Sequence, residues 1–420
     1  MLQILWCAAP VTIQFLVNLI SIICKFNNSL FIINRVPLYN KIYFPGLNAL
    51  RFFAAYFVLL HHGETIRAKF GLPNFEAYSF FRNGMIAVSF FFVLSGFLIT
   101  YLLLDEIHRT NDVSIKKFYI RRVLRIWPLY YLLVFIGLAL IPLFLKLIHY
   151  EYTMPYDTTS AGILFAFFLS FVVNSLYGSH LLEPLWSIGV EEYFYLIWAP
   201  LFKFLKNHAL KIILGVLIIK TLILIFYQFY EVDNFAFKLI KDILTTLKFE
   251  LMAIGGLGAY AVFQNKERVI QGWYFKPIAQ ILFLSLLFIR LFFHQYCIEN
   301  QIVIYQFIFG MPILGAYTEG VLFLWLILNV SLNPKAFFKL THPILEKLGE
   351  ISYGIYMYQM LVIFATVLVF KKIMLTMTPS VSFVFFYVLT SVSVIGIAAL
   401  SKRYFEDWFL KLKDRRSFNS

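Results

Sequence analysis

The sequence predicts an all-α, polytopic integral membrane protein, a bundle of about ten transmembrane helices. Of its 420 residues, 61% are hydrophobic and only 14% are charged, whereas soluble domains carry roughly 25% charged residues. Apolar segments recur along the whole chain, many near the ~20 residues that a helix needs to cross the hydrocarbon core. Because neither a long polar stretch nor an internal repeat interrupts them, we expect one membrane domain.

Eleven apolar segments make up the predicted membrane domain, which extends over residues 41–410. They run over 47–63, 84–104, 127–148, 161–178, 187–202, 209–229, 243–263, 274–293, 303–331, 350–370 and 380–401. Residues 1–40 form an N-terminal extension, which is either an extra helix or an upstream start. Residues 411–420 form a basic tail, which we expect in the cytoplasm.

The loop charges predict which side of the membrane each loop occupies. The net charge of +14 resides mainly in short loops between apolar segments, as in cytoplasmic loops of membrane proteins, and does not indicate a nucleic-acid partner. All basic loops fall on one side if 161–178 enters and leaves from the outer face, or lies along it. The run 303–331 must then cross once, bent at Pro312. This arrangement leaves ten crossings.

Ionisable side chains inside two of these segments predict a site within the membrane. Glu191 and Glu192 lie about a turn and a half from the polar end of their segment, where each costs on the order of 2.5–3.5 kcal/mol on insertion scales. Arg51 and His62 are eleven residues apart, so they share a helix face at depths that differ by roughly 16 Å. His61 points about 80° away from Arg51. Because their segment enters from the outer side, Glu191 and Glu192 should reach a depth similar to that of His62. We therefore expect an acid–base site that uses His62 and one of the two carboxylates.

Five motifs, in this order, resemble those of the membrane acyltransferase-3 family. They cover residues 46–62, 89–99, 121–128, 186–195 and 349–356. Two positions depart from the family pattern. Tyr193 stands where the family usually has glutamine, and Gln359 stands where its late helix often has histidine. Glutamine can form hydrogen bonds but cannot shuttle a proton, so we expect catalysis to depend on His62 alone.

The resemblance implies an O-acyltransferase, of the O-acetyltransferase type, in a bacterial inner (cytoplasmic) membrane. Such an enzyme transfers an acyl group, commonly acetyl, from cytoplasmic acyl-CoA to a hydroxyl of a cell-surface glycan or lipid-linked saccharide. Family acceptors include lipopolysaccharide, exopolysaccharide and peptidoglycan. Many relatives carry an extracytoplasmic hydrolase-like domain, so we expect this chain to act alone or with a separate extracytoplasmic partner.

Acyl transfer assigns a role to each candidate residue. Neutral His62 can take the proton of the acceptor hydroxyl, with Glu191 or Glu192 orienting its ring, or can itself accept the acyl group. Arg122 and Arg125, three apart on one helix face, would bind coenzyme A phosphates together with Arg51. The alternative is that Arg122 and Arg125 only set topology. No metal is expected, because the three cysteines lack metal-ligand spacing.

A second class of function is compatible with the same residues. Intramembrane ionisable groups also line transport pathways, so the chain could be a non-enzymatic transporter or flippase of a sugar conjugate. Transporters more often show internal repeats with helices broken at matching positions. The absence of such symmetry in this sequence favours the acyltransferase.

Overall fold

The structure is a computed structural model that describes residues 43–151 and 153–417, with side chains described up to residue 412. The predicted N-terminal extension, residues 1–40, lies outside the described residues. The described residues from Pro45 onward form one compact unit. Within its described residues the secondary structure is helical without a β-strand, so the predicted fold class is confirmed.

The helices are labelled in chain order. They are α1 Leu47–Lys69, α2 Gly84–Thr110, α3 Ile115–Phe135, α4 Ile141–Leu147, α5 Thr158–Ala166, α6 Ser170–Tyr177, α7 Leu185–Phe204, α8 Ala209–Phe229, α9 Phe235–Thr246, α10 Phe249–Gln264, α11 Lys266–Ile270, α12 Pro277–Phe292, α13 His294–Glu299, α14 Val303–Tyr305, α15 Pro312–Leu332, α16 Pro343–Glu350, α17 Ser352–Thr376, α18 Pro379–Ser401 and α19 Asp407–Ser417. A π-helical turn joins α3 to α4, and another joins α18 to α19.

Seven helical stretches among the described residues are long and apolar enough to cross a membrane. They are Gly84–Thr110, Ile115–Leu147, Lys206–Phe229, Phe235–Gln264, Pro312–Leu332, Ser352–Thr376 and Pro379–Leu412. Three further predicted crossings correspond to α1, α7 and α12. The first two carry the ionisable groups of the predicted site, which lower their hydropathy, and α12 has only 16 residues. The number of ten crossings stays a prediction.

The predicted segment 161–178 is not one span but two short helices. α5 has nine residues and α6 has eight, so each rises only about 12–14 Å, well short of the roughly 30 Å hydrocarbon core. Phe168 lies between them with a positive φ of 60°. We call residues 167–169 the hairpin turn. Two helices of this length agree with the prediction that the segment makes no full crossing.

The structure agrees with the predicted interruption at Pro312 and corrects two other predicted segments. The run 303–331 is interrupted just before Pro312, where α15 begins, as predicted. The first segment was predicted to end near residue 63, but α1 continues to Lys69 because Glu64 and Arg67 are both buried and form an ion pair of 3.7 Å. The segment 243–263 is also wrong as one helix, since the chain breaks at Leu247 and Lys248 between α9 and α10.

Close backbone contact between α2 and α10 forms the centre of the bundle. A Cβ at Gly96 would lie 1.9 Å from the carbonyl oxygen of Met252, and a Cβ at Gly255 would lie 2.0 Å from that of Val93. Only glycine permits this approach, which is the usual way that membrane helices gain packing contact. On the other faces, α1 packs against α2 and α17, and α7 packs against α2, α3 and α6.

Candidate active site

The three arginines that were predicted to bind coenzyme A lie near one another in the bundle. Arg51 of α1 lies within electrostatic range of Arg122 and Arg125 of α3 and of Glu191 of α7. None of the three arginines belongs to an ion pair within 4.0 Å among the described residues. We call them the arginine cluster. Arg51 and Arg122 are half-buried and Arg125 is exposed, so a polar ligand can reach the cluster.

The guanidinium groups of this cluster have few protein partners. Arg51 donates one hydrogen bond, of 3.2 Å, to Oδ1 of Asn48. The buried Nε of Arg122 has no hydrogen-bond partner among the described residues, and its guanidinium lies about 6 Å from the ring of Tyr195. Like charges repel, so gathering three cations without paired carboxylates favours an anionic ligand at this position.

Glu191 is held through both of its carboxylate oxygens. The hydroxyl of Ser95 donates to Oε1 over 3.0 Å, and the hydroxyl of Tyr195 donates to Oε2 over 2.8 Å. Ser95 belongs to α2, whereas Tyr195 lies one turn further along α7. Glu191 therefore links α2 to α7 near the arginine cluster, and both of its carboxylate oxygens have hydrogen-bond partners.

Glu192 has a different environment. Its Oε2 accepts a hydrogen bond of 3.1 Å from the indole Nε1 of Trp127, but its buried Oε1 has no partner among the described residues. The ring of Trp127 packs at 5.1 Å against Phe168 of the hairpin turn. Tyr193, the departure from the family pattern, donates to the carbonyl of Phe167 in the same turn. The hairpin turn thus covers the Glu192 side of α7.

His62 is buried, and the structure does not bring it together with the two carboxylates. No described residue forms a side-chain hydrogen bond with its ring, so the expected hydrogen bond from Glu191 or Glu192 that would orient it is absent. The expectation that both carboxylates reach the depth of His62 is therefore wrong. Glu191 is bonded to Ser95 and lies within electrostatic range of Arg51, and Glu192 lies within that range of Arg122, whereas His62 is about three helical turns along α1 from Arg51. The shared face of Arg51 and His62 follows from the continuous helix α1.

His61 is fixed by the surrounding protein. Its Nδ1 lies 3.2 Å from the carbonyl oxygen of Phe81, and a Cβ at Gly84 would lie 2.4 Å from its ring. The two histidine rings are 5.3 Å apart. His61 is thus held by a hydrogen bond, whereas the ring of His62 has no hydrogen-bond partner among the described residues, and the choice of His62 as the reactive histidine stays a prediction.

A buried ion pair lies one turn beyond His62, and sequence reasoning missed it. Oε1 of Glu64 accepts a hydrogen bond of 2.8 Å from Tyr387 and pairs with Arg67, and both charged side chains are 0% exposed. Arg67 also donates to the carbonyls of Pro73 and Ser382. The three-residue spacing of opposite charges was the signal for this pair. It fixes the end of α1 that carries His62.

Other polar groups of α7 and α17 went unassigned at the level of sequence. Ser187 and Tyr356 share a buried hydrogen bond of 2.7 Å between their hydroxyls. Gln359 is fully buried and donates to the carbonyl of Tyr356, but its Oε1 has no partner among the described residues. Ser187 and Tyr356 lie within the five motifs, and Gln359 lies three residues beyond one. Polar side chains at these positions in apolar helices could therefore have been recognised from the sequence as candidates for buried hydrogen bonds.

Comparison with known proteins identifies the family. The profile of acyltransferase family 3, described as an acyltransferase domain, matches residues 44–401. The chain belongs to acyltransferase family 3. The match includes all five motifs and every predicted site residue, so the suspected resemblance is confirmed. No solved structure matches the chain.

Several curated relatives of this family 3 member are named O-acetyltransferases. YrhL of Bacillus subtilis, provisionally named a peptidoglycan O-acetyltransferase, is 34% identical over 40% of this chain and 25% of YrhL. The peptidoglycan O-acetyltransferase OatA of Listeria monocytogenes is 30% identical over 43% of the chain and 28% of OatA. The O-acetyltransferase OatA of Staphylococcus aureus is 29% identical over 40% and 26%. The chain thus spans about a quarter of the length of these relatives.

Proposed function

We propose that this family 3 member is a membrane O-acyltransferase that transfers an acyl group from cytoplasmic acyl-CoA to a hydroxyl of a cell-surface glycan or lipid-linked saccharide. The observation that carries the proposal is the arginine cluster beside Glu192, with no carboxylate paired to any of its three guanidiniums. The names of the relatives support acetyl as the acyl group and peptidoglycan as the first acceptor to test.

Coenzyme A suits the arginine cluster chemically. Its phosphates are strong anions, and arginine binds phosphate through two parallel, charge-assisted hydrogen bonds. The free Nε of Arg122 is a donor available for such a contact. Under the topology predicted from loop charges, Arg51 and α3 enter from the cytoplasm, so acyl-CoA would bind from that side.

His62 is the proposed proton acceptor. The acceptor hydroxyl attacks the thioester carbonyl, the new C–O bond forms, the C–S bond breaks, and the hydroxyl proton passes to the histidine before it reaches the departing thiolate. Along α1, His62 is roughly 16 Å beyond Arg51, so acyl-CoA bound by its phosphates would extend toward His62. If His62 instead accepts the acyl group, its imidazole attacks the thioester and releases the thiolate, and the acceptor hydroxyl then attacks the acyl-histidine.

Glu192 is proposed to act near the arginine cluster rather than on the ring of His62. Its unpartnered Oε1 can accept a hydrogen bond from a bound substrate, whereas both oxygens of Glu191 are engaged by Ser95 and Tyr195. We therefore infer that Glu192 contacts substrate and that Glu191 holds α2 against α7 beside the arginine cluster.

The test is acetyl transfer by the purified full-length chain in proteoliposomes. With acetyl-CoA labelled in the acetyl group and peptidoglycan fragments as acceptor, we expect label in the glycan and a mass increase of one acetyl group. The Arg122→Ala/Arg125→Ala double variant is the matched control and should lose donor binding. Movement of a sugar conjugate across the bilayer without consumption of acetyl-CoA would instead support the transporter alternative and contradict the proposal.

A further inference from the structure

The membrane helix formed by α9 and α10 is broken inside the bundle. α9 ends at Thr246, Leu247 and Lys248 leave the helical conformation, and α10 begins at Phe249. A break leaves backbone carbonyls at the end of one half and amides at the start of the other without their helical partners. In a membrane such a break persists only where other groups satisfy it or where it lines a cavity.

Lys220 of α8 bridges the two sides of this break. Its Nζ donates a hydrogen bond to the carbonyl of Leu244 in the last turn of α9 and lies 3.8 Å from Oε2 of Glu250 in the first turn of α10. A cation at a helix C-terminus and an anion at a helix N-terminus each complement the helix dipole. Lys220 and Glu250 therefore stabilise the break from both directions, and we call them the latch.

The latch consists of two buried, charged side chains that have few other polar partners. Lys220 is 5% exposed and Glu250 is 0% exposed, and neither carboxylate oxygen of Glu250 accepts a hydrogen bond from a described residue. The adjacent Thr221 is bonded to the hydroxyl of Tyr317 in α15, which fixes this part of α8. The bond that can be released at the least structural cost is therefore the one from Lys220 to the end of α9.

The two halves of the broken helix differ in how firmly they are packed. α10 is buried from Glu250 to Gly256 and makes the close glycine contact with α2. α9 contains no buried residue, and Phe235 at its start is 73% exposed. Local opening occurs where few apolar contacts hold a segment, so α9 can move while α10 stays in place.

Both halves contact elements around Glu192. α9 packs against α6, the helix that follows the hairpin turn covering Trp127 and Glu192. At the other side of the break, Phe249 packs at 5.6 Å against Phe194, two residues beyond Glu192 on α7. Displacement of α9 would uncover the outside of α6 next to the candidate site without disturbing the arginine cluster.

We propose that α9 is a gate for the acceptor, hinged at Leu247 and Lys248 and closed by the Lys220–Glu250 latch. The identity of the passing molecule rests on the proposed function, but the hinge and the latch do not. In the closed form Lys220 caps α9, and in the open form this bond is broken and α9 swings away from α6. The donor enters at the arginine cluster, so opening affects acceptor access alone.

Hydrogen–deuterium exchange of the full-length chain in nanodiscs tests the latch without any assay of activity. The variant is Lys220→Met/Glu250→Leu, because replacing both partners by apolar residues avoids leaving one charge buried alone. We expect the amides of 235–246 to exchange about tenfold faster or more, while those of 249–264 are unchanged. The matched control is Lys238→Met, which removes the exposed ion pair that Lys238 of α9 forms with Asp233 just before the helix and should change neither segment.

The outcomes separate a latch from an ordinary packing contact. Unchanged exchange in 235–246, or equal acceleration in both segments, would overturn the hinge. In the transfer assay, the latch variant should alter the KM for the glycan acceptor at least about threefold and leave acetyl-CoA affinity as in the wild type. Faster exchange with an unaltered acceptor KM would overturn the gate. A wild-type chain without transferase activity would refute the proposed function, while the exchange result would still decide the latch.

Discussion

The indole Nε1 of Trp127 donates a hydrogen bond of 3.1 Å to Oε2 of Glu192, and the second carboxylate oxygen of Glu192 is buried without a partner among the described residues. An unpartnered buried polar atom is costly, by about 1–3 kcal/mol or more for a charged group. Natural proteins retain such atoms mainly where a ligand or water satisfies them. This contrast with the fully bonded Glu191 distinguishes the two carboxylates.

Glu192→Gln should therefore lower kcat more than Glu191→Gln does. Glutamine keeps the shape of the side chain but carries no negative charge, so a carboxylate that contacts substrate in the transition state should lose roughly 10²–10⁴-fold in rate. Glu191→Gln keeps one oxygen to accept from Ser95 or Tyr195 and should lose much less. Steady-state kinetics of both purified variants check this prediction, and two equally mild phenotypes would contradict it.

His62→Ala should abolish acyl transfer, while His61→Ala should retain much of it. His62 shares a face with Arg51 and makes no hydrogen bond with a described residue, whereas His61 is bonded to the carbonyl of Phe81. Loss of a general base typically costs roughly 10²–10⁴-fold. Activity per amount of membrane-inserted protein is the measurement. Equal, severe losses at normal protein levels would show that the assignment by helix face is wrong.

Arg122→Ala or Arg125→Ala should weaken binding of acetyl-CoA about 10–150-fold, since a charge-assisted contact contributes about 1.5–3 kcal/mol. A lysine at either position should rescue binding only in part, because an ammonium lacks the bidentate fork. Isothermal titration of acetyl-CoA gives the affinity. Arg121→Ala is the matched control, as Arg121 pairs with Glu106 at 3.2 Å. Equal affinities for acetyl-CoA in all the variants would instead support the alternative that Arg122 and Arg125 only set the topology of the chain.

Gly96→Ala and Gly255→Ala should each lower the thermal stability of the chain. An added Cβ would lie about 2 Å from a backbone oxygen of the facing helix, and such overpacking typically costs about 1–3 kcal/mol. Gly396→Ala in α18 is the control, because nothing lies within 4 Å of the position that its new methyl group would occupy and alanine favours helix by up to ~1 kcal/mol. Melting of detergent-solubilised protein measures the difference. Equal melting temperatures for all three variants would mean that α2 and α10 can separate freely.

Local properties of the chain were sufficient to predict the fold class and part of the site. Hydropathy predicted the helices, and the loop charges, with the short length and polar residues of the segment 161–178, predicted that this segment makes no full crossing. The common face of Arg51 and His62 required only the helical repeat. Arg122 and Arg125 were placed beside Arg51 by loop charge. Hydropathy, helical repeat and loop charge are properties of residues that are close together in the sequence, so these inferences require no knowledge of contacts between helices.

The tertiary structure decided which side chains meet across helices. Ser95 reaches Glu191 from 96 residues away, and Trp127 reaches Glu192 from 65 residues away. No local pattern encodes which face of α2 or α3 turns toward α7. The break before α10 also depends on a contact between helices, because Lys220 of α8 donates a hydrogen bond to a carbonyl that the break leaves without a helical partner. The sequence by itself determined the helices and the face that Arg51 and His62 share, whereas packing between helices determined the depth of Glu191 and Glu192 relative to His62 and the partners of both carboxylates.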